Sequence, residues 1–225
     1  MVERKEKRTS VAHAGAENKH ESAPTGRRER NKQEKLARIV EAAKELFGTK
    51  GFAETTTQEI AEKADIGTGT LFLYAKSKED LLVMVFKDEM IATSQAAFGK
   101  QPAGSSLIDQ LMHVFDTMIV YHAQDLDLAK ALIREITVPP ENSSRRSDLQ
   151  ALMQVIYGGI ADLVIAGQKT GKLRQDIDPL LVAESFFAIY YIGLLGWLGG
   201  LATRRQFINR LRPRLECAIE GIVAH

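Results

Sequence analysis

From Asn31 onward the apolar residues of this chain keep helical spacing almost without interruption, and that regularity excludes most folds. Leu36, Ile39, Val40, Ala43, Leu46 and Phe47 recur at intervals that put them in one stripe along one helix face. No alternating run bounded by turn residues appears, so a sheet has no strand to start from. The expected fold class is all-α. With 44% apolar and 26% charged residues in 225, the chain has enough material for a core and an ordinary surface. Its one cysteine, Cys217, can form neither an internal disulfide nor a Cys-rich zinc scaffold, and is expected to be a small buried apolar residue.

Residues 1–30 break the pattern. Met1, Val2 and Val11 are their only large apolar residues, set among 8 basic and 5 acidic ones, too little to offset the entropy of ordering. A disordered basic tail is expected, without the apolar run of a secretion signal. Residues 31–82 hold 8 basic and 9 acidic residues, so the basic excess sits in the tail, where Arg27, Arg28 and Arg30 with Lys32 and Lys35 could form an arm for a minor groove or simply a solvated leader.

Start and stop signals divide the rest. Asn31 with Glu34 is a candidate capping box, and Gly48 or Gly51 ends the first helix. Thr56 with Glu59 repeats the signal and opens a short helix from Thr57 to Ala64. Asp65 tolerates a left-handed turn before a third helix from Gly67 to Tyr74. Ser77 with Asp80 opens a long helix to about Phe98. Further helices are expected at about 105–123, 125–137, 147–169, 179–200 and 204–223. They are separated by Pro139-Pro140, by Gly171 and by the Asp178-Pro179 cap.

Two short helices joined by a tight turn form the helix-turn-helix unit that enters a major groove. Ile60, Ala64, Ile66 and Leu71 supply its small core, and Ala61 allows close approach. Gly67, Thr68, Gly69 and Thr70 begin the second helix with little bulk, so its backbone can press against base edges while the threonines offer hydroxyls and methyls. Tyr74, Lys78 and Thr57 have the reach or position for phosphate oxygens, though each also reads as a solvated residue or a cap.

The stretch Thr56 to Leu82, TTQEIAEKADIGTGTLFLYAKSKEDLL, resembles the DNA-binding domain of TetR-type (TetR/AcrR) transcriptional repressors. The family pattern falls on Thr57, Ile60, Ala61, Ala64, Gly69, Thr70, Leu71, Tyr74, Ser77, Lys78, Glu79 and Leu81, with departures at Asp65, Ile66, Gly67, Phe72 and Ala75. The segment GKLRQDIDP, Gly171 to Pro179, is similar to the turn before the family's dimerisation helices. This resemblance implies an N-terminal three-helix DNA-binding domain over 31–82 and a helical ligand-binding and dimerisation domain over 83–225. It also implies a cytoplasmic homodimeric repressor of a palindromic double-stranded DNA operator, released by a small apolar or amphipathic effector. Its DNA contacts are expected at Thr57, Gly67, Thr68, Gly69, Thr70, Leu73, Tyr74 and Lys78.

In the second domain Ile108, Leu111, Phe115, Met118, Ile119 and His122 share one helix face, as do Leu149, Met153, Ile156, Ile160 and Val164, with Tyr157 at the margin. Such stripes read either as plain core or as an adaptable pocket, in which Phe115, Met118, His122, Met153 and Tyr157 are the candidate ligand contacts. His122 is either a hydrogen-bonded core histidine or one of those contacts. His113 points the opposite way, so the two cannot share a metal ion. No nucleophile elbow, P-loop or dinucleotide fingerprint occurs, so no enzyme, cofactor or metal is expected.

Leu180 to Ala202 carries one charge, Glu184, and is long enough to span a bilayer. Gly193, Gly196 and Gly200, on one face with Ile189 and beside Phe186, Tyr190 and Trp197, favour helix packing instead. With Leu211 and Leu215 of the amphipathic helix that follows, in which Pro213 predicts a kink, they are expected to form a four-helix dimer seam and no membrane span. Two rival readings are a helical small-molecule-binding or scaffold protein that binds no DNA, and a single-span membrane protein.

Overall fold

A computed structural model describes residues 24–101, 104–137 and 145–224 of the chain. Their helices are α1 (Pro24–Lys50), α2 (Thr57–Lys63), α3 (Thr68–Leu71), α4 (Lys78–Gly99), α5 (Leu107–Gln124), α6 (Leu126–Thr137), α7 (Arg145–Lys169), α8 (Pro179–Leu198) and α9 (Arg204–Glu220). Among the described residues the only β pairing is an isolated bridge between Leu173 and Val223, which ties the turn before α8 to the end of the chain. The expected tail, up to residue 23, and the expected loop at Pro139-Pro140 lie outside the described residues.

The expected first helix begins too late. α1 starts at Pro24, so Asn31 and Glu34 lie inside it rather than capping it. Pro suits a first helical turn, and Arg, Lys, Glu and Gln propagate a helix well even on an exposed segment. α2 begins where the capping box puts it. Thr56 Oγ1 accepts from the Glu59 amide at 3.2 Å, and a Glu59 carboxylate oxygen accepts from the Thr56 amide at 2.9 Å. Asp65 adopts φ 54°, the left-handed turn its short polar side chain tolerates. α3 has only four residues, because the chain tightens into turns after it, with Leu73 N donating to Thr70 O and Tyr74 N to Leu71 O.

α4 joins the two halves of the molecule. Its first turns bury Leu81, Leu82 and Val85 in a core shared with Ile39, Ala43 and Phe47 of α1, Ile60 and Ala61 of α2, and Leu71. Further along, the same helix buries Phe86, Met90, Ser94 and Ala97 as it packs against α5, α6 and α7. Its 22 residues make a rod about 33 Å long, stiff enough to carry a displacement from one end to the other.

α8 corrects the expected dimer seam. Phe186, Tyr190, Leu211 and Leu215 are buried within the subunit, so they join α8 and α9 to their own core and have no surface to give a partner. Gly193 serves the same packing, since a Cβ there would lie 2.3 Å from the Phe207 ring of α9. Gly200 lies beyond α8, in a left-handed turn at φ +77°. Ile189, Gly196 and Trp197 are half-buried. Pro213 lies inside α9 on an exposed position, and Cys217 is exposed rather than buried. α7 and α8 are both long and apolar enough to cross a membrane, yet each packs one face against neighbouring helices.

These glycines separate by substitution. Gly193→Ala should destabilise the fold by about 1 to 3 kcal/mol, because Phe207 is buried and cannot yield without disturbing the core. Gly196→Ala meets nothing within 4 Å and should change stability by less than about 0.5 kcal/mol or raise it slightly. Urea unfolding of both variants checks the contrast.

Candidate DNA-binding surface and effector cavity

α3 and the turn after it form an outer edge of the N-terminal bundle. Gly67, Gly69, Phe72 and Leu73 are exposed there, while Thr57, Thr68, Thr70 and Tyr74 are half-buried. Leu73 is 83% exposed and Phe72 45%. Two large apolar side chains thus stand in water next to two glycines around which a Cβ would meet nothing within 4 Å. Neither Gly67 nor Gly69 has a positive φ, so no constraint within the subunit calls for glycine, and the bare backbone leaves room for an external surface to come close. Phe72 lacks the hydroxyl that tyrosine would bring to a phosphate.

Lys78 has more to do than reach for phosphate. Its Nζ donates to the carbonyl oxygens of Phe52 at 2.7 Å and Ala53 at 3.0 Å, and lies 4.6 Å from the Phe52 ring centroid. It therefore pins the α1–α2 loop to the start of α4 and retains one of three donors for a phosphate oxygen.

In the second half, α4 to α8 line a narrow, partly open apolar cavity of about 20 Å³, room for about one small group with the side chains as they stand. Met90 lines it from α4, Met118 and His122 from α5, Ile133 and Ile136 from α6, Leu152, Met153 and Ile156 from α7, and Phe187, Tyr190, Tyr191 and Leu194 from α8. None of these carries a formal charge at pH 7. Of the five expected ligand contacts, Met118, His122 and Met153 are brought together. Phe115 and Tyr157 are not in the lining: Phe115 stacks on Tyr190 with centroids 4.7 Å apart, and Tyr157 meets the Phe187 ring edge-on at 5.4 Å. They brace the wall from behind.

Two further spaces adjoin this one. His122 also lines a recess of about 70 Å³ bounded by Phe86, Glu89, Tyr121, Gln124, Asp125 and Leu132. Ile133 also lines an open groove of about 500 Å³ that carries Lys130, Arg134, Glu135 and Thr137. The wall of the recess is wired to the N-terminal bundle: Tyr121 Oη donates to Glu89 at 2.9 Å, and the other Glu89 oxygen pairs with Lys44 of α1 at 2.6 Å. These three groups went unnoticed in the sequence, since no local pattern brings residues 44, 89 and 121 together.

His122 is 2% exposed and its Nδ1 has no hydrogen-bond partner, which departs from the expected hydrogen-bonded core histidine. Burial pushes its imidazole down to about 4, so it is neutral at pH 7. The Tyr190 hydroxyl is likewise fully buried and unpartnered, and burial pushes it up. Glu89 and Asp125 line the recess on the other side of His122.

A short-helix DNA-reading edge joined by one long helix to an apolar cavity is the arrangement of a ligand-responsive DNA-binding regulator. Residues 39–85 match the family of bacterial regulatory proteins of the tetR type. The fatty acid metabolism regulator protein of Bacillus subtilis is 22% identical over 158 residues, covering 70% of this chain and 80% of that one. The HTH-type transcriptional repressor KstR of Rhodococcus jostii is 26% identical over 188 residues, covering 84% and 82%. The FadR repressor of Thermus thermophilus, solved with lauroyl-CoA, superposes with a TM-score of 0.68 at 26% identity, covering 84% of this chain and 95% of that one. Residues 39–85 thus form a DNA-binding domain of the tetR type, and the longer matches support a DNA-binding transcriptional repressor under effector control.

The buried imidazole fixes a pH signature. The unfolded chain takes up the His122 proton below about pH 6.5, while the folded chain resists it until about 4. Stability from this group is constant above pH 6.5 and falls by about 1.4 kcal/mol per unit as pH drops from 6.5 towards 4. The difference between wild type and His122→Leu in urea unfolding should show that slope, and a pH-independent difference would refute it.

Proposed function

We propose that this protein is a homodimeric repressor that leaves a palindromic operator when a long-chain acyl thioester fills its apolar cavity. The observation that carries the effector class is the pairing of an uncharged apolar cavity with an open groove bearing Lys130 and Arg134 beside Glu135, with Ile133 as a shared wall. An acyl chain suits the first and the phosphates of a coenzyme A headgroup suit the second. Support comes from the Thermus relative, which was solved with lauroyl-CoA.

On this reading residues 31–82 hold the DNA and residues 83–225 hold the effector. Thr68 and Thr70 read base edges, with Gly67, Gly69 and Leu73 allowing and lining the close approach and Thr57, Tyr74 and Lys78 facing phosphates. The dimer forms through the outer face of α8, where Leu181 and Ile192 are each 62% exposed and Ser185 and Ala188 lie between them. A two-fold seam there presents two α3 edges to two half-sites of a duplex, as a cytoplasmic repressor requires. Occupancy is transmitted through Lys44–Glu89–Tyr121: filling the space beside Tyr121 disturbs the ion pair that holds α1 against α4.

Three measurements test this. Dodecanoyl-CoA should weaken binding to a duplex from the region upstream of its own coding sequence by about tenfold or more, a coupling of about 1.4 kcal/mol, and DNA should weaken dodecanoyl-CoA binding by the same factor. Coenzyme A alone should do neither, and an unchanged operator affinity with dodecanoyl-CoA would reject the effector class. Glu89→Gln should cut the coupling at least threefold, read as operator affinity with and without the thioester, while leaving thioester affinity for free protein within about twofold. Ile192→Glu should yield monomers by light scattering at micromolar concentration and lose operator affinity with them.

A further inference from the structure

Two buried polar atoms of the otherwise largely apolar cavity wall lack a partner, and they bear on what fills it. His122 on α5 and Tyr190 on α8 both line it, both are essentially inaccessible to solvent, and neither Nδ1 of the first nor the hydroxyl of the second has any hydrogen-bond partner. They are not bonded to each other, although they share one small space. By contrast Tyr191, on the same wall, has its hydroxyl 2.8 Å from the Thr137 hydroxyl. Leaving a buried polar atom unpaired costs about 1 to 3 kcal/mol, so two at one cavity are expensive unless a third group completes them.

We infer that His122 and Tyr190 form a polar pair that binds an uncharged oxygen, a hydroxyl or a keto group, on the buried aliphatic part of the effector. This rests on the acyl-type reading above and sharpens it, because a plain saturated chain would leave both atoms unsatisfied. The chemistry of the pair selects the group. The tyrosine hydroxyl both donates and accepts, and a neutral imidazole nitrogen does one or the other according to tautomer, so a hydroxyl satisfies either tautomer and a keto oxygen can accept from both. A carboxylate is disfavoured, since among the described residues no lysine or arginine lines the cavity to balance a buried charge. His122 stands between the cavity and the recess that holds Glu89 and Tyr121. An oxygen bound to it therefore sits at the wall nearest the link to α1.

The test compares dodecanoyl-CoA with dodecanoyl-CoA thioesters bearing a single hydroxyl or oxo group at successive chain carbons, by calorimetry on the full-length protein. At least one oxygenated thioester should bind about tenfold tighter than the plain one, and that advantage should fall below about threefold in Tyr190→Phe and in His122→Leu. Tyr190→Phe removes only an unpartnered hydroxyl, so its melting temperature should be no lower than wild type, which keeps the comparison free of folding defects. The Nδ1 resonance of His122 in nitrogen-15 spectra should move with the oxygenated thioester and not with the plain one. Plain thioester binding as well as every oxygenated one would overturn the polar pair and leave the acyl-thioester reading standing. Decan-5-ol, which has no thioester, separates the two in the other direction: if no thioester binds but decan-5-ol does, and its binding is lost in Tyr190→Phe, the effector class is wrong and the polar pair is right. If decan-5-ol and the oxygenated thioesters all bind wild type and Tyr190→Phe alike, the pair has no role in recognition.

Discussion

The burial of α4 along its whole length is the constraint on which the molecule depends. Leu81, Leu82 and Val85 belong to the core beneath the DNA-reading edge, and Phe86 and Met90 belong to the walls of the two internal spaces. A helix clamped by close-packed side chains at both ends cannot bend into a new shape without cost at one of them, because interiors packed at crystal-like density deform poorly. It moves as a unit. The charged contacts along it, Lys44 with Glu89 and Lys87 with Asp148 of α7 at 3.0 Å, then decide which neighbours move with it.

What the sequence made legible is what is set locally. The capping signals at Thr56, Ser77 and Asp178 place the starts of α2, α4 and α8, since each hydroxyl or carboxylate acts on an amide two or three residues away. The left-handed Asp65 and the small residues of α3 are legible for the same reason. Local signals failed at Asn31, where a plausible cap was overridden by a run of strong helix formers beginning at Pro24. They also left α3 too long, because the turns at Leu73 and Tyr74 keep helix-like spacing with tighter hydrogen bonds.

The site in the second half was legible only in part, and the reason is geometric. Met118 and Met153 sit on apolar stripes, but a stripe specifies a face and not the face opposite. Tyr190 illustrates this well: beside a row of glycines it reads as a residue for another subunit, whereas its neighbours in space are Phe115, Phe187 and Phe207 of its own chain. Gly193 misleads in the same manner. Close helix approach is correctly implied by glycine, yet the partner is the intramolecular Phe207. Lys78 shows the opposite error, in which a side chain with the reach for an external phosphate spends two of its donors on the carbonyls of Phe52 and Ala53.

The atom-free space at the centre of α4 to α8, with its unpaired Nδ1 and hydroxyl, also bears on how long the protein lasts in a cell. Any occupant that binds only the folded state adds RT ln(1 + [L]/Kd) to the unfolding free energy, about 2.7 kcal/mol at a hundredfold excess over Kd. Occupied protein is then more resistant to turnover than protein with no ligand bound. The pool of this regulator would grow while its occupant is plentiful and shrink when it is scarce, so that the cavity sets not only whether the protein is bound but how much of it there is.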